Sequence, residues 1–186
     1  MTLETDLPSR HDELPRQTVP DLAVRGRVLG PDDRWSLADV LVRDGRITAI
    51  AVPGSTPAAR TIDLGEAYLV PGMIDAHVHS LSHHGEGIAA ATRAAAAGGV
   101  TTIVEMPYDG AGPIANVDRF ERKAELADAE AHIDVALLGT ALPGGGWREM
   151  DSLVESGASG FKVSIFHTDA ARFPRVPEGE LLDVFT

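Results

Sequence analysis

Two histidines separated by one residue, His77 and His79, close a run of small and branched side chains that begins at Leu69. On a strand, residues two apart share a face, so the two imidazoles project together while Val78 points the other way. Paired neutral imidazoles chelate a divalent cation, with zinc the usual first choice. Two ordinary histidines at a strand end would give the same spacing, so the pattern needs its context. That context is an apolar strand before the pair and an alternating βα series after it. A third residue bears on the same chemistry. Lys162 lies in Gly160-Phe161-Lys162-Val163, an apolar stretch where an unpaired ammonium is costly. Burial there favours the neutral amine, which reacts with CO2 to give an anionic carbamate with two oxygen donors. The plainer alternative is a strand-end lysine in a salt bridge or reaching solvent.

Other ionisable residues group around these three. His83 and His84 follow the pair in a loop bordering the same end, either as solvated residues or as substrate contacts. Asp75 shares a face with His77, in a supporting role near a cation or in a structural one. His132 precedes a later strand on the far side and reads as structural. After Lys162 the only histidine is His167, and Asp169 and Asp183 also follow. With no cysteine anywhere in the chain, disulfides, thiolate ligands and thiol nucleophiles are excluded.

The elements that must position these groups are legible from periodicity and punctuation. Residues 1–20 hold many charges and few apolar side chains and read as a flexible N-terminal arm. Residues 21–69 read as part of a small β-sandwich domain. Leu22-Ala23-Val24 and Val28-Leu29 flank Arg25-Gly26-Arg27. Asp39 to Val42 runs through the turn Asp44-Gly45 into Arg46 to Ile50, a hairpin signal. From residue 70 the texture becomes strand, helix, strand, helix. Strands are expected over Leu69–His79, Val100–Met106, Ile133–Leu142 and Gly160–Phe166. Helices are expected over the Ala-rich Glu86–Gly98, from Asn116 to about Ala131, over Trp147–Ser156, and from Pro177 onward. Alternating βα units imply an α/β fold with a parallel sheet. The first strand ends in His-Val-His rather than a Gly-rich phosphate turn, which favours a (β/α)8 TIM barrel over a nucleotide-binding sheet. Four such units span residues 70–186, half of the roughly eight strands that a barrel requires. A half barrel would leave its first and fourth strands as open edges.

The sequence of 186 residues carries 16 basic against 28 acidic side chains, a net charge of −12 that disfavours nucleic acid and anionic membranes as partners. No apolar run approaches the ~20 residues needed to span a bilayer, and the N-terminus lacks the apolar core of a signal peptide. A cytoplasmic location is the expectation.

The segments Val70-Pro71-Gly72-Met73-Ile74-Asp75-Ala76-His77-Val78-His79 and Thr92-Arg93-Ala94-Ala95-Ala96-Ala97-Gly98-Gly99-Val100-Thr101-Thr102-Ile103-Val104-Glu105-Met106-Pro107 resemble the amidohydrolase superfamily. The second is similar to its cyclic amidohydrolase branch of allantoinases, hydantoinases and dihydroorotases, and Asp44–Ile50 is similar to the hairpin opening their β-sandwich domain. The resemblance covers residues 21–186 and matches the N-terminal portion of such enzymes. It implies metal-dependent hydrolysis of a C–N bond in a cyclic amide or ureide, with two divalent ions, zinc by default. It implies that His77, His79 and a CO2-derived carbamate on Lys162 are metal ligands, with Lys162 also counted as catalytic. It further implies two histidines on later strands and a carboxylate general base after the last strand, none of which this sequence supplies. The chain by itself is therefore expected to be inactive, and its full-length form to be a homo-oligomer. Leu81 stands where dihydroorotases place a carboxylate-clamping arginine, and Tyr108-Asp109 where asparagine is usual. Glu86-Gly87 is most like allantoinases, which makes allantoin or a related ureide the leading substrate. The rival readings are a non-catalytic, dihydropyrimidinase-like scaffold and an inactive truncated paralogue.

Overall fold

A computed structural model describes residues 19–83, 85 and 87–185. The expected arm therefore lies almost wholly outside the described residues, as do His84 and Glu86. Two compact units divide the chain, Met1–Pro71 and Gly72–Thr186.

The first unit is a single four-stranded sheet among the described residues. Its strands are β1 (Leu22–Leu29), β2 (Trp35–Arg43), β3 (Arg46–Ala51) and β4 (Arg60–Tyr68), ordered β3-β2-β1-β4. Asp44 and Gly45, with φ of 50° and 71°, make the tight turn between β2 and β3. The two short segments expected around Gly26 are one continuous strand. Gly26 lets β4 approach, since a Cβ there would meet the Ala67 carbonyl at 3.0 Å and Leu69 Cβ at 3.2 Å. Arg25 holds the buried Asp39 carboxylate through bonds of 2.8 and 3.0 Å, which keeps that carboxyl below its ordinary pKa. β4 escapes sequence reading because its residues are mixed in polarity. Its parallel pairing with β1 is a long-range contact that no local pattern announces.

The second unit alternates strand and helix. In chain order it contains β5 (Met73–Val78), α1 (Ile88–Ala97), β6 (Val100–Glu105), the small hairpin β7 (Tyr108–Asp109) and β8 (Gly112–Pro113), and α2 (Val117–Glu130). Then come β9 (Asp134–Gly139), α3 (Met150–Glu155) behind a 3-10 turn at Gly146–Glu149, β10 (Gly160–Phe161) and α4 (Glu178–Phe185). The main sheet is parallel, ordered β10-β9-β6-β5. The Ala-rich sequence makes α1, and Gly99 at φ 82° turns the chain into β6. Asn116 caps α2 by accepting a hydrogen bond from the Arg119 backbone N–H at 3.0 Å. The core joins Ile114, Phe120, Leu137 and Leu153, with Phe161 packed against it. As expected, β5 and β10 are the sheet's outer strands.

The fourth strand is far shorter than expected. It holds only Gly160 and Phe161, so Lys162 follows the strand rather than lying inside it. The Lys162 N–H still donates to the Gly139 carbonyl at 3.0 Å. Beyond it the chain leaves the sheet, because Ser164 Oγ turns back to donate to the Phe166 carbonyl at 2.7 Å. The returning Val176 N–H donates to the Ser164 carbonyl at 2.8 Å. Of the segment read as strand, Gly160 and Phe161 are strand, and residues 165–166 open a looped excursion that runs to residue 175. No helix among the described residues is long and apolar enough to cross a membrane.

Candidate metal centre

His77, His79, Lys162 and Glu105 sit at the carboxyl ends of the parallel strands. His77 is the penultimate residue of β5 and His79 is just past its end, Lys162 follows β10, and Glu105 closes β6. In a flat sheet, three spacings of ~4.8 Å would hold β5 and β10 about 14 Å apart. Yet Lys162 Nζ lies 3.0 Å from His77 Nε2, and His77 Nε2 lies 3.2 Å from His79 Nε2. The sheet must curl toward the face that carries these side chains. Curling brings together residues 85 positions apart.

The geometry suits a cation. Two nitrogens each ~2.05 Å from one tetrahedral zinc would be about 3.3 Å apart, close to the observed 3.2 Å. Lys162 is half-buried, and that desolvation lowers its pKa, favouring the neutral amine. Its Nζ also lies 3.3 Å from the Met106 sulfur, a weak acceptor that leaves the amine poorly stabilised as a cation. Among the described residues no group of three or more His, Asp or Glu gathers as a metal site.

A second layer holds His79. His79 Nδ1 lies 2.9 Å from Ser82 Oγ, and Ser82 Oγ donates to the Tyr108 carbonyl at 2.6 Å. The Tyr108 ring meets His79 edge-on at 5.8 Å. The Arg172 guanidinium lies over the Tyr108 ring at 4.4 Å and bonds its hydroxyl. Arg172 also donates to the Ser82 carbonyl at 2.9 Å and to Asp169 at 2.8 Å. Asp169 accepts from the Ala171 and Arg172 backbone as well. The Arg172 bonds hold its carboxyl down to about 2. One guanidinium thus ties the loop after β10 to the loop after β5.

Beneath the site lies a buried ionic cluster. Lys123 Nζ reaches Glu105 at 3.2 Å, Asp109 at 2.6 Å and the Met106 carbonyl at 2.9 Å. Glu105 in turn accepts from the Ser80 backbone N–H at 3.1 Å with both oxygens. Burial pushes the Glu105 and Asp109 carboxyls up, against the pull of Lys123.

The remaining sequence candidates are distributed as follows. The Asp75 carboxylate accepts from the His77 backbone N–H at 3.1 Å. His83 lines a cleft of 390 Å³ with Leu81, Ser82, Gly110, Ala111 and Arg172. His132 is at the opposite end of the sheet, its backbone N–H bonded to Thr92 Oγ1 at 3.1 Å. His167 is exposed in the excursion after β10, and Asp183 is exposed on α4. Sequence reasoning passed over Ser82, Glu105, Lys123 and Arg172. Two of them left a trace: Glu105 ends a β-branched strand, and Lys123 shares a helical stripe with Phe120 and Ala127. Ser82 and Arg172 left none, since the contacts with Tyr108 and with each other that give them their roles are distant in sequence.

Fold and site together define a curled parallel βα sheet with a His-x-His pair and a lysine at its carboxyl rim. No family model matches the chain. Individual relatives do. It is 39% identical over 160 residues to an allantoinase of Streptomyces avermitilis, covering 83% of this chain and 36% of that protein. It is 35% identical over 170 residues to an L-hydantoinase of Paenarthrobacter aurescens, covering 89% and 37%. The solved L-hydantoinase (dihydropyrimidinase) from Arthrobacter aurescens superposes with a TM-score of 0.81 at 33% identity, over 90% of this chain and 38% of that one. The chain belongs to the cyclic amidohydrolase branch of the amidohydrolase superfamily. It spans a little over a third of the length of the relatives it matches.

Proposed function

We propose that this chain contributes one part of a metal-dependent active site that hydrolyses a C–N bond in a cyclic amide or ureide, with an allantoin-like ring as the leading substrate. The observation that carries the reading is the convergence of Lys162 Nζ, His77 Nε2 and His79 Nε2 from the two outer strands of one sheet. On this reading the sheet is four strands of a (β/α)8 barrel. His77, His79 and a carboxylated Lys162 would be the residues of this chain that hold divalent ions, zinc by default. When bound, such ions polarise a carbonyl and make hydroxide available near neutral pH. The kinship with allantoinases and an L-hydantoinase supports the substrate class.

The protein's own residues prepare that chemistry. The neutral Lys162 amine would add its lone pair to the carbon of CO2: the N–C bond forms as one C=O π pair moves onto oxygen, and the nitrogen releases one proton to solvent. Partial burial assists because it disfavours the competing ammonium. The Tyr108 ring, edge-on to His79, forms a wall beside the ligands. Ser82, His83 and Arg172 border the adjoining cleft, where a polar ring substituent could be received.

The test is zinc content and carbamate formation. The chain incubated with zinc and ¹³C-bicarbonate should retain metal and show a carbamate carbon resonance. Lys162→Ala should lose that resonance, and His77→Ala should lose the metal. Allantoin and a hydantoin, added separately, should perturb the carbamate signal. Zinc retention indifferent to all three side chains would refute the proposal.

A further inference from the structure

We infer that Ser82 sets the tautomer of His79, holding the proton on Nδ1 so that the Nε2 lone pair faces the shared space with His77. The inference rests on the metal-centre reading above, and it follows from counting hydrogens. A serine hydroxyl has one proton to give. The Ser82 proton is committed to the Tyr108 carbonyl, a group that can only accept, at 2.6 Å. At its other contact, 2.9 Å from His79 Nδ1, Ser82 Oγ must therefore be the acceptor. His79 Nδ1 carries the hydrogen, and in the neutral ring Nε2 is the bare nitrogen. That nitrogen lies 3.2 Å from His77 Nε2, where a cation shared by the pair would sit.

The surroundings prevent the hydroxyl from turning. Ser82 is 2% exposed, so no bulk water competes for its proton. Its own carbonyl receives Arg172 at 2.9 Å, and the Tyr108 side chain is pinned by the same guanidinium and by Asp169. Donor and acceptor positions around Ser82 Oγ are thus fixed by two separate loops. A free histidine side chain favours its hydrogen on Nε2, the wrong nitrogen for this site, so the protein has to impose the other form. Ser82 is accordingly a positioning residue that acts through His79.

The assignment is tested on the 186-residue chain without metal, at an alkaline pH that leaves the imidazoles neutral. Two-bond ¹H–¹⁵N correlation spectra of the His79 ring should show hydrogen on Nδ1 and a bare Nε2. Any other protonation pattern in the unsubstituted protein overturns the inference, whatever the variants do. Ser82→Ala should let the ring revert to the Nε2–H form and weaken zinc binding about 10–100-fold, the usual effect of losing such an outer partner. Ser82→Thr, which keeps the hydroxyl, should restore both. A Ser82→Ala protein with an unchanged tautomer and unchanged zinc affinity also overturns it. If the Nδ1–H form is found while the unsubstituted chain takes up no zinc, Ser82 retains its assignment and the metal-centre reading fails.

Discussion

Replacing Lys123 with methionine should destabilise the second unit more than any single change at His77, His79 or Lys162. The Lys123 side chain is 2% exposed and faces Glu105 at 3.2 Å and Asp109 at 2.6 Å, themselves 1% and 9% exposed. At an effective dielectric of ~20, each contact is worth roughly 5–6 kcal/mol of Coulomb attraction. Desolvation of the three charges offsets much of this, and breaking a buried pair by removing one partner costs about 3–5 kcal/mol net. Lys123→Met also strips a donor from the Met106 carbonyl. Urea unfolding followed by circular dichroism should show a midpoint lower by roughly 1–3 M, taking a slope near 2 kcal/mol per molar. The sign with pH is also fixed. Without the ammonium, the two carboxyls keep pKa values raised by burial above their ordinary 4.5 and 3.8. A raised acid favours the folded state when protonated, so the loss should be full at neutral pH and shrink as pH falls toward 4. Asp109→Asn, which leaves one ammonium facing one carboxylate, should cost much less. A Lys123→Met penalty below about 1 kcal/mol, or one unchanged between neutral and acid pH, would refute the account of the cluster.

Three further outcomes are expected. Asn116→Ala removes the acceptor of the Arg119 N–H and should cost about 1 kcal/mol, read as a shift in the thermal midpoint, with Asn116→Asp nearly neutral. Gly139→Ala sets a Cβ 2.9 Å from the Phe161 ring and 3.2 Å from Leu153, and should cost about 1–3 kcal/mol by overpacking next to the short β10. Asp169 is held down to about 2, so its hold on the loop after β10 should be full above the ordinary 3.8 and fade only as pH falls toward 2. Asp169→Asn should speed hydrogen exchange at the Phe173 and Val176 amides at neutral pH. An unaltered exchange rate would show that the carboxylate does not anchor the loop.

Much of this protein is decided locally, and the sequence alone determined those parts. The Ala-rich α1, the Asn116 cap, the Asp44-Gly45 hairpin and the His77-Val78-His79 pair each depend on neighbours within a few residues. Propensity, capping and strand alternation therefore reveal them, and so does the resemblance that led to the family. Lys162 was also legible, as an amine in an apolar setting, although its strand ends one residue before it. Only the tertiary structure could decide the rest. The approach of Lys162 to His77 comes from curling a sheet across three strand spacings, and no local pattern encodes that curvature. The Lys123–Glu105–Asp109 cluster and the Arg172 clamp join residues whose pairing is set by which helix and which loop pack together. Ser82 shows the limit most plainly: an unremarkable serine three residues after a histidine acquires its role from the Tyr108 carbonyl, which folding places above it.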